Sequence, residues 1–104
     1  MNQIVIRGEI ASNLNRYKIG NENYMSFSIA VECKNRKTGK PEKDFMNCES
    51  WGRMADCIFS RFDKGDNIVV IGELRTRTQG TDESEYLPRI VVSEACFTCG
   101  LLAK

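Results

Sequence analysis

The stretch from residue 43 to residue 77 decides the fold of this chain, and it reads KDFMNCESWGRMADCIFSRFDKGDNIVVIGELRTR. Side chains alternate between the two faces of a strand, so residues 45–51 place Phe45 and Trp51 on one face with Asn47 and Glu49. Large rings that share a face with amide and carboxylate groups are typical of a surface. The pattern therefore predicts two exposed aromatic rings on one strand, and rings covered by a loop or a partner subunit are the alternative.

A short amphipathic helix is predicted after this strand. Gly52 interrupts the strand, and apolar residues then recur at helical spacing, namely Met54, Ala55, Cys57, Ile58, Phe59 and Phe62. A turn at residues 64–67 leads into an apolar strand that ends in Arg75 and Arg77. Because alternate residues share a face, these two arginines can bind one extended anionic backbone, and a solvated strand edge is the alternative.

Three further strands are predicted in the rest of the chain. Ile4, Ile6 and Ile10 alternate with polar residues in the first, and residues 24–34 alternate in the same way. Residues 87–97 form the last strand, with Pro88 near its start. Residues 11–23 are rich in Asn and Gly and are predicted to be a connection, which carries the cationic and aromatic pair Arg16 and Tyr17.

The loop at residues 35–42 is strongly basic. With its flanks it contributes five cations against Glu42 alone, and these are Lys34, Arg36, Lys37, Lys40 and Lys43. A hairpin tip of this composition predicts an arm that contacts phosphates, and a solvated loop is the alternative. The hairpin at residues 78–85 is acidic, so a polyanion is expected to follow the basic hairpin and the aromatic face instead.

Length and charge limit the possibilities. At 104 residues and a net charge of +1, the chain has room for one domain, residues 1–104, and any affinity for nucleic acid must come from where its charges lie. No apolar run is long enough to cross a membrane, and the start MNQIVIRGEI lacks the layout of a secretion signal. We expect a soluble, cytoplasmic protein without a membrane partner.

The five cysteines predict reduced thiols, because their number is odd and three of them fall at core-facing positions. Only Cys96 and Cys99 have the spacing of a metal or redox pair, but the chain has no His and no second such pair. That pair also ends a strand, whereas a reactive dithiol is expected at the start of a helix. We therefore expect no metal and no cofactor.

Catalysis is not expected either. The chain lacks His, a Gly-rich phosphate loop and paired carboxylates at strand ends, so no catalytic residue is assigned. Asp56, Asp63 and Asp66 surround the predicted helix and are interpreted as solvating or capping groups.

The predicted order is strand, strand, strand, helix, strand, strand. A single helix between the third and fourth strands fits the OB-fold, an all-β, five-stranded, partly open barrel in which the helix closes one end. OB barrels bind oligonucleotides across strands two and three and the adjoining loops, which is where Phe45, Trp51 and the basic hairpin fall.

Over about nine-tenths of its length the chain resembles the bacterial single-stranded DNA-binding proteins. The resemblance depends on the order and spacing of several segments: NQIVIRG at 2–8, RY at 16–17, FSIAV at 27–31, FMNCESWGR at 45–53, KG at 64–65 and GELRTR at 72–77. It implies an OB-fold that binds single-stranded DNA without reading its sequence in replication, recombination and repair. It also implies a homo-oligomer, usually a tetramer and otherwise a dimer, in which the first strand pairs across subunits.

The resemblance also implies roles for particular residues. Phe45 and Trp51 correspond to base-stacking aromatics, and Arg53, Lys64, Arg75 and Arg77 correspond to phosphate contacts. Two departures from the family are visible. Asn35 and Gln79 stand about where family members often have exposed tryptophans, which implies weaker binding or a smaller DNA site. The sequence ends GLLAK where most members continue into a linker and an acidic tip that recruits other proteins, so partners recruited through such a tip are doubtful.

Two alternative functions stay open at this point. One is a replication-restart primosome protein, which is a dimeric OB-fold of similar size without a tail. The other is an adaptor whose exposed aromatics bind protein. A dimeric mass in solution would favour the first alternative, and a tetrameric mass would favour an ordinary member of the family. Tryptophan fluorescence that does not change when DNA is added would favour the second alternative.

Overall fold

The structure is a computed structural model that describes residues 1–76 and 88–97. Its elements, in chain order, are β1 (Ile4–Ile10), β2 (Asn15–Ile19), β3 (Glu22–Lys34), β4 (Pro41–Trp51), α1 (Gly52–Arg61), β5 (Asn67–Arg75) and β6 (Arg89–Phe97). The acidic hairpin predicted at 78–85, together with Arg77, Gln79 and Cys99, lies outside the described residues.

Five of these strands close into a barrel. Hydrogen bonding runs from β1 to β5, β6, β4 and β3, and β3 returns to β1 through the pairs Glu9–Ala30 and Ile10–Ile29. β4 and β6 run parallel, whereas the other neighbouring strands are antiparallel. The predicted five-stranded OB barrel with one short helix between its third and fourth strands is confirmed.

The prediction that residues 11–23 are only a connection was wrong, because they contain β2. All five residues of β2 are exposed, so the apolar alternation that marks a half-buried strand is missing. The strand forms because Gly20, at a φ of 64°, makes the tight turn that folds β2 back onto β3. β2 pairs with β3 from Asn15–Ser26 to Ile19–Glu22 and extends the sheet beyond the barrel.

The core fills the barrel and is covered at one end by α1. Ile10, Met25, Ile29, Ile58, Ile68, Val70 and Ile90 are fully buried in it. α1 contributes Ala55 and Ile58, and Phe62 follows directly after the helix, which is the i, i+3, i+7 spacing of a single helix face. Cys57 and Phe59 were also predicted on that face, but both are exposed because they flank it on the helix surface.

The barrel closes where β1 crosses β3, and Gly8 makes this possible. A Cβ atom at position 8 would overlap the Ile29 side chain and the Ala30 carbonyl oxygen. Because this carbonyl oxygen is part of the β3 backbone and cannot rotate away, a larger residue at position 8 would push the two strands apart.

The described cysteines are all free, but only Cys48 is fully buried. Burial raises the pKa of the Cys48 thiol to about 12, which disfavours the reactive thiolate. Cys33 is half-buried, while Cys57 and Cys96 are exposed, so the expectation of three core-facing cysteines was wrong for Cys57. Desolvation, followed by nearby Asp44, raises the pKa of Cys33.

Within the described ranges, no helix is long and apolar enough to cross a bilayer, since α1 has ten residues.

Candidate nucleic-acid interface

The outward side of β3 and β4 carries the predicted aromatic residues, and we call it the outer sheet face. Residues directly opposite each other in an antiparallel pair share a face, so the register aligns Trp51 with Tyr24, Glu49 with Ser26, and Phe45 with Ala30. Phe45 and Trp51 are six residues apart on β4, which separates them by roughly 20 Å along one strand. This face is therefore long enough to meet several nucleotides of one extended strand.

Phe45 lies at one end of the outer sheet face beside an open groove. The residue is 63% exposed, and the groove, of about 440 Å³, is lined by Glu9, Ile10, Ala11, Ala30, Lys43, Phe45, Lys64 and Gly65. Glu9, Ala30 and Phe45 align across β1, β3 and β4, and the small side chain of Ala30 leaves the floor of the groove low. An exposed ring beside a cavity and two lysines can stack a base and bind its phosphate.

Lys64 reaches this groove because the turn after α1 is attached to the end of β1. The Gly65 N–H donates to the Ile10 carbonyl at 2.8 Å, and the Ile10 N–H donates to the Asp66 carbonyl at 2.9 Å. Lys64 is exposed in that turn, whereas Lys43 comes from β4 on the other wall. Two lysines 21 positions apart in the sequence thus flank the same ring.

The other end of the outer sheet face holds three aromatic side chains in line, Tyr17, Tyr24 and Trp51, which we call the aromatic row. Tyr17 of β2 lies opposite Tyr24 of β3, which lies opposite Trp51 of β4. The ring centroids of Tyr17 and Tyr24 are 5.5 Å apart, and those of Tyr24 and Trp51 are 4.6 Å apart in an edge-to-face contact. Tyr17 is 52% exposed, while Tyr24 is buried.

Trp51 is half-buried, so the expectation of two freely exposed rings holds for Phe45 and not for Trp51. Its indole Nε1 donates a hydrogen bond to Glu49 Oε2 at 3.1 Å, and its ring edge meets Tyr24. The sequence pattern could not anticipate this, because the contact with Tyr24 comes from the neighbouring strand.

Glu49 is a buried carboxylate beneath the aromatic row, with only 6% of its side chain exposed. Besides Trp51, it accepts a hydrogen bond from the Tyr24 hydroxyl at 3.2 Å and from Arg89 Nη1 at 3.4 Å. Its three donors come from β3, β4 and β6. Burial of a carboxylate is costly unless it is paired and hydrogen-bonded, and these donors meet that requirement.

The surroundings of Tyr24 disfavour its ionisation. Burial, followed by the Glu49 charge and the hydrogen bond to Glu49, raises the pKa of the Tyr24 phenol to about 12, although Arg89 acts in the opposite direction. The phenol therefore stays protonated at neutral pH and keeps its role as a donor to Glu49.

The basic hairpin extends β3 and β4 past Phe45. Its tip is shaped by Asn35, whose side-chain oxygen accepts from the N–H groups of Lys37 and Thr38 at 2.9 and 3.0 Å. All five cations of the prediction are exposed: Lys34, Arg36, Lys37, Lys40 and Lys43. Within the part of the chain that the structure describes, none of them forms an ion pair, so their charge is available to a ligand.

Arg16 differs from these cations because its charge is paired with a carboxylate of the same chain. Its Nη1 lies 2.9 Å from Asp56 Oδ1, and its guanidinium stacks over the Phe59 ring at 4.4 Å. Asp56 also accepts a hydrogen bond from the Asn23 side chain at 2.7 Å. Asp56 thus attaches α1 to β2 and β3, and its interpretation as only a solvating or capping group was wrong.

The remaining predicted cations are distributed around the barrel. Arg53 is exposed in the first turn of α1, just after Trp51. Arg75 is exposed at the end of β5, and its Nη1 lies 3.6 Å from Glu73 Oε1, which offsets part of its charge. Arg77 lies outside the described residues, so its predicted proximity to Arg75 stays a prediction.

Sequence reasoning missed several residues that shape this face, namely Ala30, Tyr24 and Arg89, and it gave Glu49 no role. Alternation alone could have placed Tyr24 with Ser26 and Ser28 on the outer sheet face. Arg89 gives no such signal, because it reaches Glu49 only through the parallel pairing of β4 with β6. Its Nε is buried without a hydrogen-bond partner among the described residues.

Among residues 1–76 and 88–97, no three His, Cys, Asp or Glu side chains are grouped closely enough to hold a metal ion.

The family model and the sequence relatives that match this chain all describe single-stranded DNA-binding proteins. The model of the Single-strand binding protein family matches residues 1–98. Single-stranded DNA-binding protein 1 of Clostridium acetobutylicum is 31% identical over 102 residues, which cover 93% of this chain and 93% of that protein. Single-stranded DNA-binding protein 2 of Streptococcus agalactiae serotype III is 31% identical over 97 residues, which cover 88% of this chain and 72% of that protein.

Solved structures share the fold at lower sequence identity. The second single-stranded DNA-binding protein of Mycobacterium smegmatis superposes with a TM-score of 0.73 at 20% identity, over 95% of this chain and 90% of that one. The small single-stranded DNA-binding protein of Streptomyces coelicolor gives 0.74 at 20% identity, over 91% and 90%. Both have the same barrel as this chain.

Proposed function

The chain belongs to the single-strand binding protein family, and we propose that it binds single-stranded DNA without reading the base sequence, protecting it in replication, recombination or repair. The observation that carries this proposal is the exposed Phe45 ring beside Lys43 and Lys64 in an open groove. Stacking accepts every base because each base has a π-face, and lysine recognises the phosphate that all nucleotides share. The protein acts as a DNA-binding module, not as an enzyme.

DNA binds through two base-stacking sites on β4. One base stacks on Phe45 and another on the exposed side of Trp51, roughly 20 Å further along the strand. The intervening nucleotides follow the outer sheet face past Asn47, which is exposed between the two rings. Each stacked base contributes about 1–3 kcal/mol.

Phosphates are neutralised mainly at the Phe45 end. Lys43 and Lys64 flank the groove, and the exposed cations of the basic hairpin continue the path beyond it. Arg53 serves the Trp51 end, and Arg75 and Arg77 add contacts on β5 and beyond. Arg16 contributes least, because a phosphate must compete with Asp56 for its guanidinium.

The chain assembles as a homo-oligomer, and we propose a homotetramer in which β1 pairs across two subunits. Support comes from β1 itself, since residues 4–8 pair only with β5 in the described part of the chain. Val5 on this strand is 61% exposed, and pairing of β1 with the same strand of a partner subunit would cover it. A solution mass of four chains is the expected result, and a mass of two chains would replace the tetramer by a dimer.

A fluorescence titration tests the binding proposal. Trp51 is the only tryptophan, so its emission reports on the outer sheet face directly. We expect oligo-dT to quench it at low salt, oligo-dA and oligo-dC to bind comparably, and duplex DNA to compete poorly. Absence both of quenching and of any change in the anisotropy of a labelled oligonucleotide would refute the proposal.

A further inference from the structure

We propose that Glu49 is a positioning residue for base stacking, which fixes the indole of Trp51 at the angle and depth where its free side meets a base. This inference rests on the proposed function, because positioning matters only if Trp51 stacks bases. It assigns a role in DNA binding to an acidic, buried residue that does not itself touch DNA.

The geometry of Trp51 carries the first step. A half-buried tryptophan at the end of a strand can rotate about its side-chain torsions unless something holds it. Here the ring has two restraints, the hydrogen bond from Nε1 to Glu49 Oε2 at 3.1 Å and the edge-to-face contact with Tyr24, whose ring centroid is 4.6 Å away. Glu49 stands behind both restraints, because its other oxygen accepts the Tyr24 hydroxyl at 3.2 Å.

The chemical identity of residue 49 carries the second step. A strand face that meets a polyanion is a poor place for a carboxylate, since negative charge near phosphates weakens binding. A carboxylate nevertheless offers two acceptor oxygens with room for several donors, and Glu49 uses them for Tyr24, Trp51 and Arg89. A branched apolar side chain would pack at this position without orienting any of the three.

Arg89 carries the third step. Its side chain is 20% exposed, and Nη1 lies 3.4 Å from Glu49 Oε1, so the negative charge is paired inside the sheet. Because β6 supplies Arg89 and β3 supplies Tyr24, the network attaches the Trp51 end of β4 to strands on both sides. The stacking ring is therefore held before DNA arrives, which avoids the entropic cost of ordering it on binding.

A positioning role and a purely electrostatic role for Glu49 predict opposite changes in DNA affinity when its charge is removed. If Glu49 acts only as a negative charge near DNA, its neutralisation strengthens binding and also releases Arg89 for phosphates. If Glu49 positions Trp51, its neutralisation weakens binding although the protein becomes more positive.

The experiment compares Glu49→Gln and Glu49→Leu with Glu32→Gln, which neutralises an exposed glutamate on the outer sheet face opposite Lys43. Oligo-dT affinity is measured by the anisotropy of a labelled oligonucleotide, at several salt concentrations. We expect Glu49→Leu to weaken binding about three- to tenfold, which is part of the value of one stacked base. Glu49→Gln should fall between Glu49→Leu and wild type, because its amide oxygen still accepts one hydrogen bond.

The control and the spectroscopic signal distinguish positioning from general damage. Glu32→Gln should bind about equally or up to about twofold more tightly. The near-ultraviolet circular dichroism of Trp51 and its fluorescence anisotropy without DNA should fall in both Glu49 variants and stay unchanged in Glu32→Gln. The slope of log affinity against log salt should stay constant in the Glu49 variants, since no phosphate contact is removed.

Tighter binding by both Glu49 variants, or a Trp51 signal that matches wild type, would overturn the inference. If Glu49→Leu does not fold, Glu49→Gln, which keeps the shape of the side chain, decides the question with the same two measurements. Failure of the wild-type protein to bind oligo-dT would instead refute the proposed function, so the two results are distinguishable.

Discussion

Replacement of Phe45 by alanine should separate DNA binding from stability. Phe45 is 63% exposed, so only about a third of the residue is buried on folding. Since full burial of a phenylalanine side chain is worth about 1.5–3 kcal/mol, Phe45→Ala should lower the free energy of unfolding by about 0.5–1 kcal/mol. In a domain of this size, that loss lowers the melting temperature by about 2–8 °C.

The loss of binding should be larger. A stacked base contributes about 1–3 kcal/mol, which corresponds to an increase in Kd of about 5- to 150-fold. Trp51 remains as the reporter in this variant, so the same titration with oligo-dT measures wild type and Phe45→Ala. The salt dependence should stay the same, because no cation is removed.

Phe59→Ala is the matched control. Phe59 has the same ring and is 41% exposed, but it lies on α1 under the Arg16 guanidinium and not on the outer sheet face. We expect it to leave Kd within about twofold of wild type, because it removes no stacking platform. An unchanged Kd for Phe45→Ala, or an equal loss in both variants, would refute the assignment of Phe45 as a base-stacking residue.

Three other substitutions or reactions test the interface and the core. Trp51→Ala should lose both binding and about 1–3 kcal/mol of stability, because it removes a ring contact and leaves buried Glu49 without one donor; a melting temperature equal to that of wild type would contradict this. Lys64→Ala should reduce the slope of log affinity against log salt by roughly 0.7, the value for one phosphate on a single strand, and an unchanged slope would remove Lys64 from the DNA path. Cys57 should react with iodoacetamide at pH 8 in the native protein while Cys48, with a pKa of about 12, stays unmodified until the protein unfolds, as mass spectrometry of the labelled peptides would show.

The order of the predicted elements, with one helix between the third and fourth barrel strands, was sufficient to predict the fold class. The alternation predicted for β1 is the burial pattern that the structure shows, and Ala55 and Ile58 are buried at the predicted helical spacing. In β3 the inward residues Met25, Phe27 and Ile29 are buried as predicted, but outward Tyr24 and Ala30 are buried too. Alternation of apolar and polar residues cannot reveal a strand whose residues are all exposed. β2 is such a strand, and the sequence pattern therefore did not predict it. Its pairing with β3 is decided by a turn at Gly20 and not by any apolar face.

The candidate interface was only partly predictable for a related reason. Phe45 and the cations of the basic hairpin are exposed, as their neighbours in the sequence suggest. The availability of Arg16 depends on a partner that is distant in the sequence, whereas Arg75 is paired with Glu73 two residues away. Asp56, 40 positions away, pairs with Arg16, whereas the hairpin lysines have no such partner among the described residues.

By itself, the sequence determined which side chains of β1, β3 and β4 share a face, because alternation is a property of the extended backbone. It therefore placed two rings, a carboxylate and an amide on one face of β4 before any fold was known. Only the tertiary structure decided what each of them contacts and how far each is exposed. Packing of β3 and β6 against β4 brought Tyr24 and Arg89 to Glu49 and fixed Trp51, while Ala30 and the turn at Lys64 left Phe45 beside an open groove. Contacts between strands that are distant in the sequence, such as β4 with β6, depend on how the barrel closes, and the alternation within one strand does not encode that closure.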